Sequence, residues 1–242
     1  MKLFSTVTVL IFILTLSAVA QSQSANVLAP VFQLGDQATT IPAPRGFAEA
    51  ASQFESIRNQ FTTTEAPGNE MLAVFLPQAD CEKLRGGTFG PFNFYTKVSV
   101  RAAVRGESYS SARFADLIAY FRKNEVTLLD MNSPAMKATL RRLDQGMSDL
   151  NKRETHVDLP QLTRLGEFDT RPNVYSVMLL MNMTATSADS VTTTPLLGTL
   201  TYLRVKDRMI YVYSYRKYSA AEDINVLRDF TKQWVTQILA AN

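Results

Sequence analysis

The chain has 242 residues, 46% of them hydrophobic and 19% charged, with a net charge of +3. That is enough for one sizeable core or two small ones, and a balance this close to neutral gives no case for a nucleic-acid partner or an anionic membrane surface. Cys81 and His156 are the only residues of their types, so an internal disulfide is impossible and no His/Cys cluster is present for a zinc site of the usual kind.

The first 24 residues carry the most specific signal. Lys2 makes a minimal positive region, residues 3–16 are apolar apart from Ser and Thr, and Ala18-Val19-Ala20 has the small-x-small pattern before polar Gln21-Ser22-Gln23-Ser24. This reads as a signal peptide, residues 1–20, cleaved after Ala20. The mature chain is therefore expected to be exported, to the periplasm or beyond, with no stable membrane span after cleavage. Retention as an anchor is the alternative, because the stretch is just long enough to cross about 30 Å of hydrocarbon.

Residues 21–40 are rich in Gln, Ser, Thr, Ala and Pro and read as a flexible leader, with at most one short strand at 31–34. A single domain is expected over 41–242. Ile41-Pro42-Ala43-Pro44-Arg45-Gly46-Phe47 opens it: the prolines hold the backbone extended and Gly46 permits a sharp turn. Phe47, Ala50, Ala51, Phe54, Ile57 and Phe61 then recur at helical spacing. Residues 71–76 are a continuous apolar strand stopped by Pro77. Residues 78–92 read as irregular.

Over 93–104, Phe94, Thr96, Val98 and Val100 alternate with Tyr95, Lys97, Ser99 and Arg101, which predicts a strand with one buried and one wet face. Two helices follow. Ser110 or Ser111 caps the first, which carries Phe114, Leu117, Ile118 and Phe121. Ser133-Pro134 opens the second, whose narrow apolar seam (Met136, Leu140, Leu143, Met147, Leu150) reads as core. Residues 151–172 look turn-rich, with short strands at 157–159 and 162–165. A strand at 173–183 and a Thr/Ser loop at 184–194 complete this region.

The strongest folding signal is a β-hairpin over 196–205 and 209–216, followed by an amphipathic helix. A two-residue turn at Lys206-Asp207 places Leu203 opposite Ile210 and Thr201 opposite Val212. On the other face Tyr202 meets Tyr211, Leu200 meets Tyr213, and Gly198 meets Tyr215. A slip of one residue would exchange the faces. Ser219-Ala220-Ala221-Glu222 has the capping-box pattern, and Leu227, Phe230, Trp234 and Ile238 form the helix's apolar stripe. Tyr202, Tyr211, Tyr213, Tyr215 and Trp234 are the candidate surface for a partner or ligand.

Three stretches carry a family resemblance: Ile41-Pro42-Ala43-Pro44-Arg45-Gly46-Phe47; Leu165-Gly166-Glu167-Phe168-Asp169 with Asn173-Val174-Tyr175-Ser176; and Val205-Lys206-Asp207-Arg208-Met209-Ile210-Tyr211-Val212-Tyr213 with the Trp234 helix. The first and third resemble the Mog1/PsbP-like family, and the second and third are similar to uncharacterised exported bacterial proteins. The resemblance implies an α+β fold, an antiparallel sheet with helices packed on it, and members that bind partners or assist assemblies. It implies no active-site residue.

Groupings that could carry chemistry are weak. His156 has Asp158 nearby but no Gly-x-Ser-x-Gly elbow. A Cys81–His156 dyad would need the two brought together in space. Glu167 and Asp169 are a possible glycosidase-like carboxylate pair. Gly86-Gly87-Thr88-Phe89-Gly90 lacks the Gly-Lys-Ser/Thr ending of a phosphate loop and reads as a turn. No catalytic, cofactor or metal site is assigned. The expected function is a non-enzymatic binding or assembly-assisting protein of the bacterial envelope, with another envelope protein or a small apolar ligand as partner. A hydrolase using His156 or a carboxylate pair is the alternative. Expression in an exporting host should give a mature chain beginning at Gln21. Intact-mass measurement checks this, and a full-length mass in the exported fraction would contradict it.

Overall fold

A computed structural model of the protein describes residues 29–242 except 89 and 153. The signal-peptide reading lies outside the described residues. In chain order the elements are β1 (Val31–Leu34), β2 (Gln37–Thr40), β3 (Phe47–Glu49), α1 (Glu55–Thr63), β4 (Asn69–Pro77), α2 (Gln78–Arg85), β5 (Phe94–Arg101), α3 (Ser111–Leu128), α4 (Pro134–Asn151), β6 (Thr155–Asp169), β7 (Val174–Ser187), β8 (Ser190–Val205), β9 (Arg208–Lys217) and α5 (Glu222–Ala240). β3 to β9 form one seven-stranded antiparallel sheet in the order β3-β4-β5-β9-β8-β7-β6, and β1 and β2 form a separate hairpin. The fold is α+β, with helices packed on both faces of the sheet.

The β8–β9 register agrees with the sequence reading: Leu203 faces Ile210, Tyr202 faces Tyr211, Leu200 faces Tyr213 and Gly198 faces Tyr215. The turn residues Lys206 (φ 45°) and Asp207 (φ 58°) are both left-handed, which is the primed turn that matches the natural strand twist. Neither residue is a glycine, so the conformation has to be held from outside. Lys206 Nζ donates to Ala38 O at 2.8 Å, Arg204 pairs with Asp207, and Tyr109 N–H donates to Asp207 O at 2.8 Å. At Gly198 a Cβ would come within 3.3 Å of the Tyr215 ring, so the absent side chain is what lets that ring lie over the strand.

Period-two alternation sorts the hairpin into two faces. Leu203, Ile210 and Val212 join Val98, Val100, Val174 and Phe75 in the main core, which α5 closes with Trp234, Val235 and Ile238. Trp234 meets Phe75 edge-on at 5.4 Å and donates its indole N–H to Pro42 O at 2.7 Å. Between these apolar clusters runs a buried hydroxyl seam. Thr96 meets Ser214 at 3.1 Å, Ser176 meets Thr201 at 2.8 Å, and Thr199 meets Thr231 of α5 at 3.2 Å. Each hydroxyl satisfies another, so little desolvation cost remains.

Several expectations are corrected. Residues 31–40 belong to the fold and are no part of a flexible leader: β1–β2 inserts Leu34 into the core beside Ile41. The buried Arg208 donates to Leu34 O and pairs with Asp36, and Asn242 makes bonds of 2.7 and 2.8 Å with the Thr40 backbone. The helix expected from Phe47 begins only at Glu55, because Phe47, Ala48 and Glu49 pair with β4 as an edge strand. Residues 78–85 are helical, with Cys81 as the buried position. The turn-rich stretch 151–172 is mostly one 15-residue strand, β6, broken by register shifts that its Pro and Gly residues permit. The Thr/Ser loop is instead the tip of the β7–β8 hairpin, closed by Ser187 opposite Ser190. Serine and threonine composition suggested a loop, but cross-strand pairing decided the outcome.

The helix cap also differs. Ala221, and not Ser219, precedes the first turn of α5 and makes no side-chain cap. Asp223 reaches back instead, accepting from Ser219 N–H at 2.8 Å and Ala220 N–H at 3.0 Å, while Arg216 Nε donates to it at 2.7 Å. Arg216 and those two N–H groups hold the Asp223 carboxyl below its ordinary value. In the window just below about pH 4 the unfolded chain therefore binds the extra proton, and this contribution to stability is lost as the pH falls through that window. Urea unfolding of Asp223→Asn should accordingly show a shallower acid limb than wild type, with a lower midpoint at neutral pH. Parallel acid limbs would contradict this role for Asp223.

Candidate functional site

The second face of the hairpin carries a row of rings across four strands. Tyr95 stacks on Tyr215 at 4.9 Å, Tyr215 on Tyr213 at 6.3 Å, and Tyr213 lies 6.4 Å from Tyr211. Tyr211 meets Tyr202 edge-on at 5.5 Å, and Tyr202 lies 6.0 Å from Tyr175. Helices cover the two ends of the row. At one end Phe61 of α1 meets Tyr95 at 5.2 Å. At the other, Phe114 and Ile118 of α3 pack on Tyr175 and Val177, and Phe121 lies 4.3 Å from Tyr202.

The middle of the row is left as the floor of a cleft of about 390 Å³. Tyr202, Tyr211 and Tyr213 form that floor; Leu117 and Phe121 of α3, Val104, Tyr109 and Met209 supply walls; Asn69 and Arg101 complete the rim. The three floor tyrosines are half-buried, and among the described residues their hydroxyls make no hydrogen bond, although none is fully shut off from the surface. A cleft of this size with apolar walls and a few convergent polar groups is the usual form of a small-ligand site.

Beside the cleft, on the same face of the sheet, the floor is braced. Glu65, 2% exposed, accepts from Lys97 Nζ at 2.8 Å and Ser99 Oγ at 2.9 Å. Lys97 Nζ also sits 5.1 Å from the centre of the Tyr213 ring, a cation–π contact. The face of β5 expected to be wet is thus largely covered: Ser99 is fully buried, Lys97 is tied down, and only Arg101 remains exposed.

The structure separates the five candidate residues. Tyr202, Tyr211 and Tyr213 share the cleft. Tyr215 belongs to the same row but packs beside Leu179, Met181, Leu196 and Leu129. Trp234 lies on the opposite face of the sheet, inside the main core, so it cannot contribute to the same surface. Arg101, Asn69 and Tyr109 were not anticipated. Alternation along β5 placed Arg101 on the outer face, but nothing in the sequence showed that α3 would build a wall beside it.

The hydrolase candidates are not brought together. His156 Nδ1 meets Asp144 of α4 at 2.8 Å, with the imidazole 69% exposed. Cys81 is buried among Ala50, Ile57, Phe61, Val74 and Leu76, and burial raises its thiol pKa. Glu167 is held by Arg122 at 2.7 and 2.9 Å and by the Tyr175 hydroxyl, and Asp169 by Arg171 at 2.6 and 2.9 Å. Arginine therefore saturates both carboxylates, and Arg122 above all holds the Glu167 carboxyl below its ordinary value. Among the described residues no group of three or more His, Cys, Asp or Glu could hold a metal ion, and no helix is long and apolar enough to cross a membrane.

No protein-family model matches the sequence, and no curated protein matches it. Solved structures share a weak likeness of fold, among them the following two. The Ran-binding protein Mog1p of Saccharomyces cerevisiae matches over 88% of this chain and 94% of its own, at 10% identity and a TM-score of 0.34. PsbP (CyanoP) of Synechocystis sp. PCC 6803 matches over 92% of this chain and 96% of its own, at 10% identity and a TM-score of 0.30. The resemblance to Mog1/PsbP-like proteins is thus one of sheet and helix arrangement, and a weak one.

Burial raises the phenols of Tyr202, Tyr211 and Tyr213 above their ordinary value. A group whose folded-state pKa is raised favours folding below its unfolded pKa, and that contribution is lost as pH rises past it. An ultraviolet phenolate titration should therefore show a class of tyrosines that stay neutral above about pH 10 and ionise only as the protein unfolds. A single smooth ionisation, with the fold intact, would contradict the buried row.

Proposed function

We propose that this chain is an exported, non-enzymatic binding protein of the bacterial envelope, and that its ligand sits in the cleft floored by Tyr202, Tyr211 and Tyr213. The observation that carries the reading is the open middle of the tyrosine row. Helices cover both ends of the sheet face, yet three half-buried rings with unbonded hydroxyls remain accessible between them. Aromatic rings dominate interface energetics, and a phenol offers apolar area with a polar tip. The concave shape favours a small ligand over a flat protein surface. Export rests on Lys2, the apolar run and Ala18-Val19-Ala20.

Leu117→Trp enlarges a half-buried wall residue and would fill the cleft without touching the core under α5. After incubation with an envelope extract, native mass spectrometry should find a small bound species on wild type that Leu117→Trp lacks, with both proteins equally folded by circular dichroism. No bound species on wild type, or the same species on both, would overturn the assignment.

A further inference from the structure

Resting on the cleft as the binding site, we infer that its ligand is an aromatic carboxylate: the acid group pairs with Arg101 and the ring occupies the corner formed by Phe121, Tyr202 and Tyr211. Charge is the first reason. Arg101 is the only charged residue lining the cleft. It is exposed, and its side chain makes no hydrogen bond or ion pair among the described residues. The other cations in this part of the molecule are all engaged: Arg105 with Glu70, Arg113 with Glu107, Arg204 with Asp207, and Lys97 with Glu65. Glu65, on the tyrosine side of the sheet beside Tyr213, is 2% exposed and is taken up by Lys97 and Ser99.

Donor chemistry is the second. A guanidinium has only donors, and its planar fork matches a carboxylate through two parallel bonds. The Tyr211 phenol shares the cleft with Arg101 and, like phenols generally, is protonated at neutral pH. It is thus available to donate to the second lone pair of an acid oxygen.

The third reason is the wall. Phe121 and Tyr202 lie 4.3 Å apart in a tilted pair, and Tyr211 stands edge-on to Tyr202 at 5.5 Å. These rings, with Leu117 and Val104, leave a corner where a further ring finds both edge and face contacts. A ring on a short acid chain fits within about 390 Å³.

Isothermal titration with hydrocinnamate, its neutral amide and acetate separates these elements. Wild type should bind hydrocinnamate about ten- to a hundredfold more tightly than the amide, the range for loss of a charged hydrogen-bonded pair, and should not bind acetate. Arg101→Gln should reduce hydrocinnamate to the amide's level and leave the amide unchanged, with Arg101→Lys between. Equal binding of acid and amide, or indifference to Arg101→Gln, overturns the carboxylate. Acetate binding as well as hydrocinnamate overturns the ring. If Leu117→Trp abolishes acid and amide alike in such a case, the cleft stands as a binding site and only its ligand class has failed. No binding of either to wild type overturns this inference, while the extract experiment separately decides whether the cleft binds anything.

Discussion

The register of the β8–β9 hairpin is the constraint on which the rest depends. Side chains alternate across a sheet, so moving the pairing by one residue would place the tyrosines under α5 and Leu203, Ile210 and Val212 in the cleft. That register is set at a two-residue turn whose sequence is Lys206-Asp207, not the Asn-Gly or Asp-Gly that such turns prefer. A left-handed conformation costs a residue like lysine about 1–2 kcal/mol. The surroundings offset it: the β1–β2 hairpin accepts the Lys206 ammonium, Arg204 takes the Asp207 carboxylate, and Tyr109 bonds its carbonyl. The N-terminal hairpin is therefore structural in a specific sense. It braces the turn that decides which residues face the cleft, and Gly35 makes this possible by passing within a Cβ's reach of Gly106.

The two faces of the sheet are treated differently because their cover differs. On one side a single long helix, α5, lies across the strands, and its stripe closes on a continuous apolar core. On the other side the cover is divided. α1 and α2 pack over the β4 end, and α4 spans from α1 to β6, where Gly146 lets its backbone approach Thr63 and Thr64. α3 packs over β7 and β8. Neither group reaches the middle of β9. Phe114, Ile118 and Phe121 seat α3 off-centre on Tyr175, Val177 and Tyr202, and Arg122 adds a pair with Glu167 of β6. The cleft is the space these attachments leave, and its walls are as rigid as the elements that carry them.

Much of this was legible from residue patterns. The hairpin register, the two middle helices, the strand at β7 and the stripe of α5 all follow from periods of two and 3.6 acting on strongly apolar segments. Three of the misread strands share a cause. β6, the β7–β8 tip and the β1–β2 hairpin are polar, with Ser, Thr, Pro and Gly where strands usually carry branched apolar residues, and only long-range pairing makes them extended. Alternation put the four tyrosines on one hairpin face and Trp234 in a helical stripe, yet all five were grouped as one candidate surface. Which face each one takes is a tertiary fact, as is the placing of Arg101 beside a wall from α3.

A floor of tyrosines suits recognition better than a floor of phenylalanines would. Each ring contributes apolar area with only two torsions to order, and each tip is a polar group that a ligand can bond. Held by its neighbours and by the Glu65–Lys97–Ser99 cluster beside it, the row is organised before any ligand arrives, so less ordering entropy opposes binding. The same arrangement explains why the buried ion pair is tolerated. Glu65 is satisfied by Lys97, Ser99 and the Ala66 N–H, and Lys97 lies in turn against the Tyr213 ring. Removing one partner would leave the other charged and buried, a costly state. The cluster thus acts on the cleft through geometry: it fixes the height and tilt of Tyr213, and with it the depth of the site.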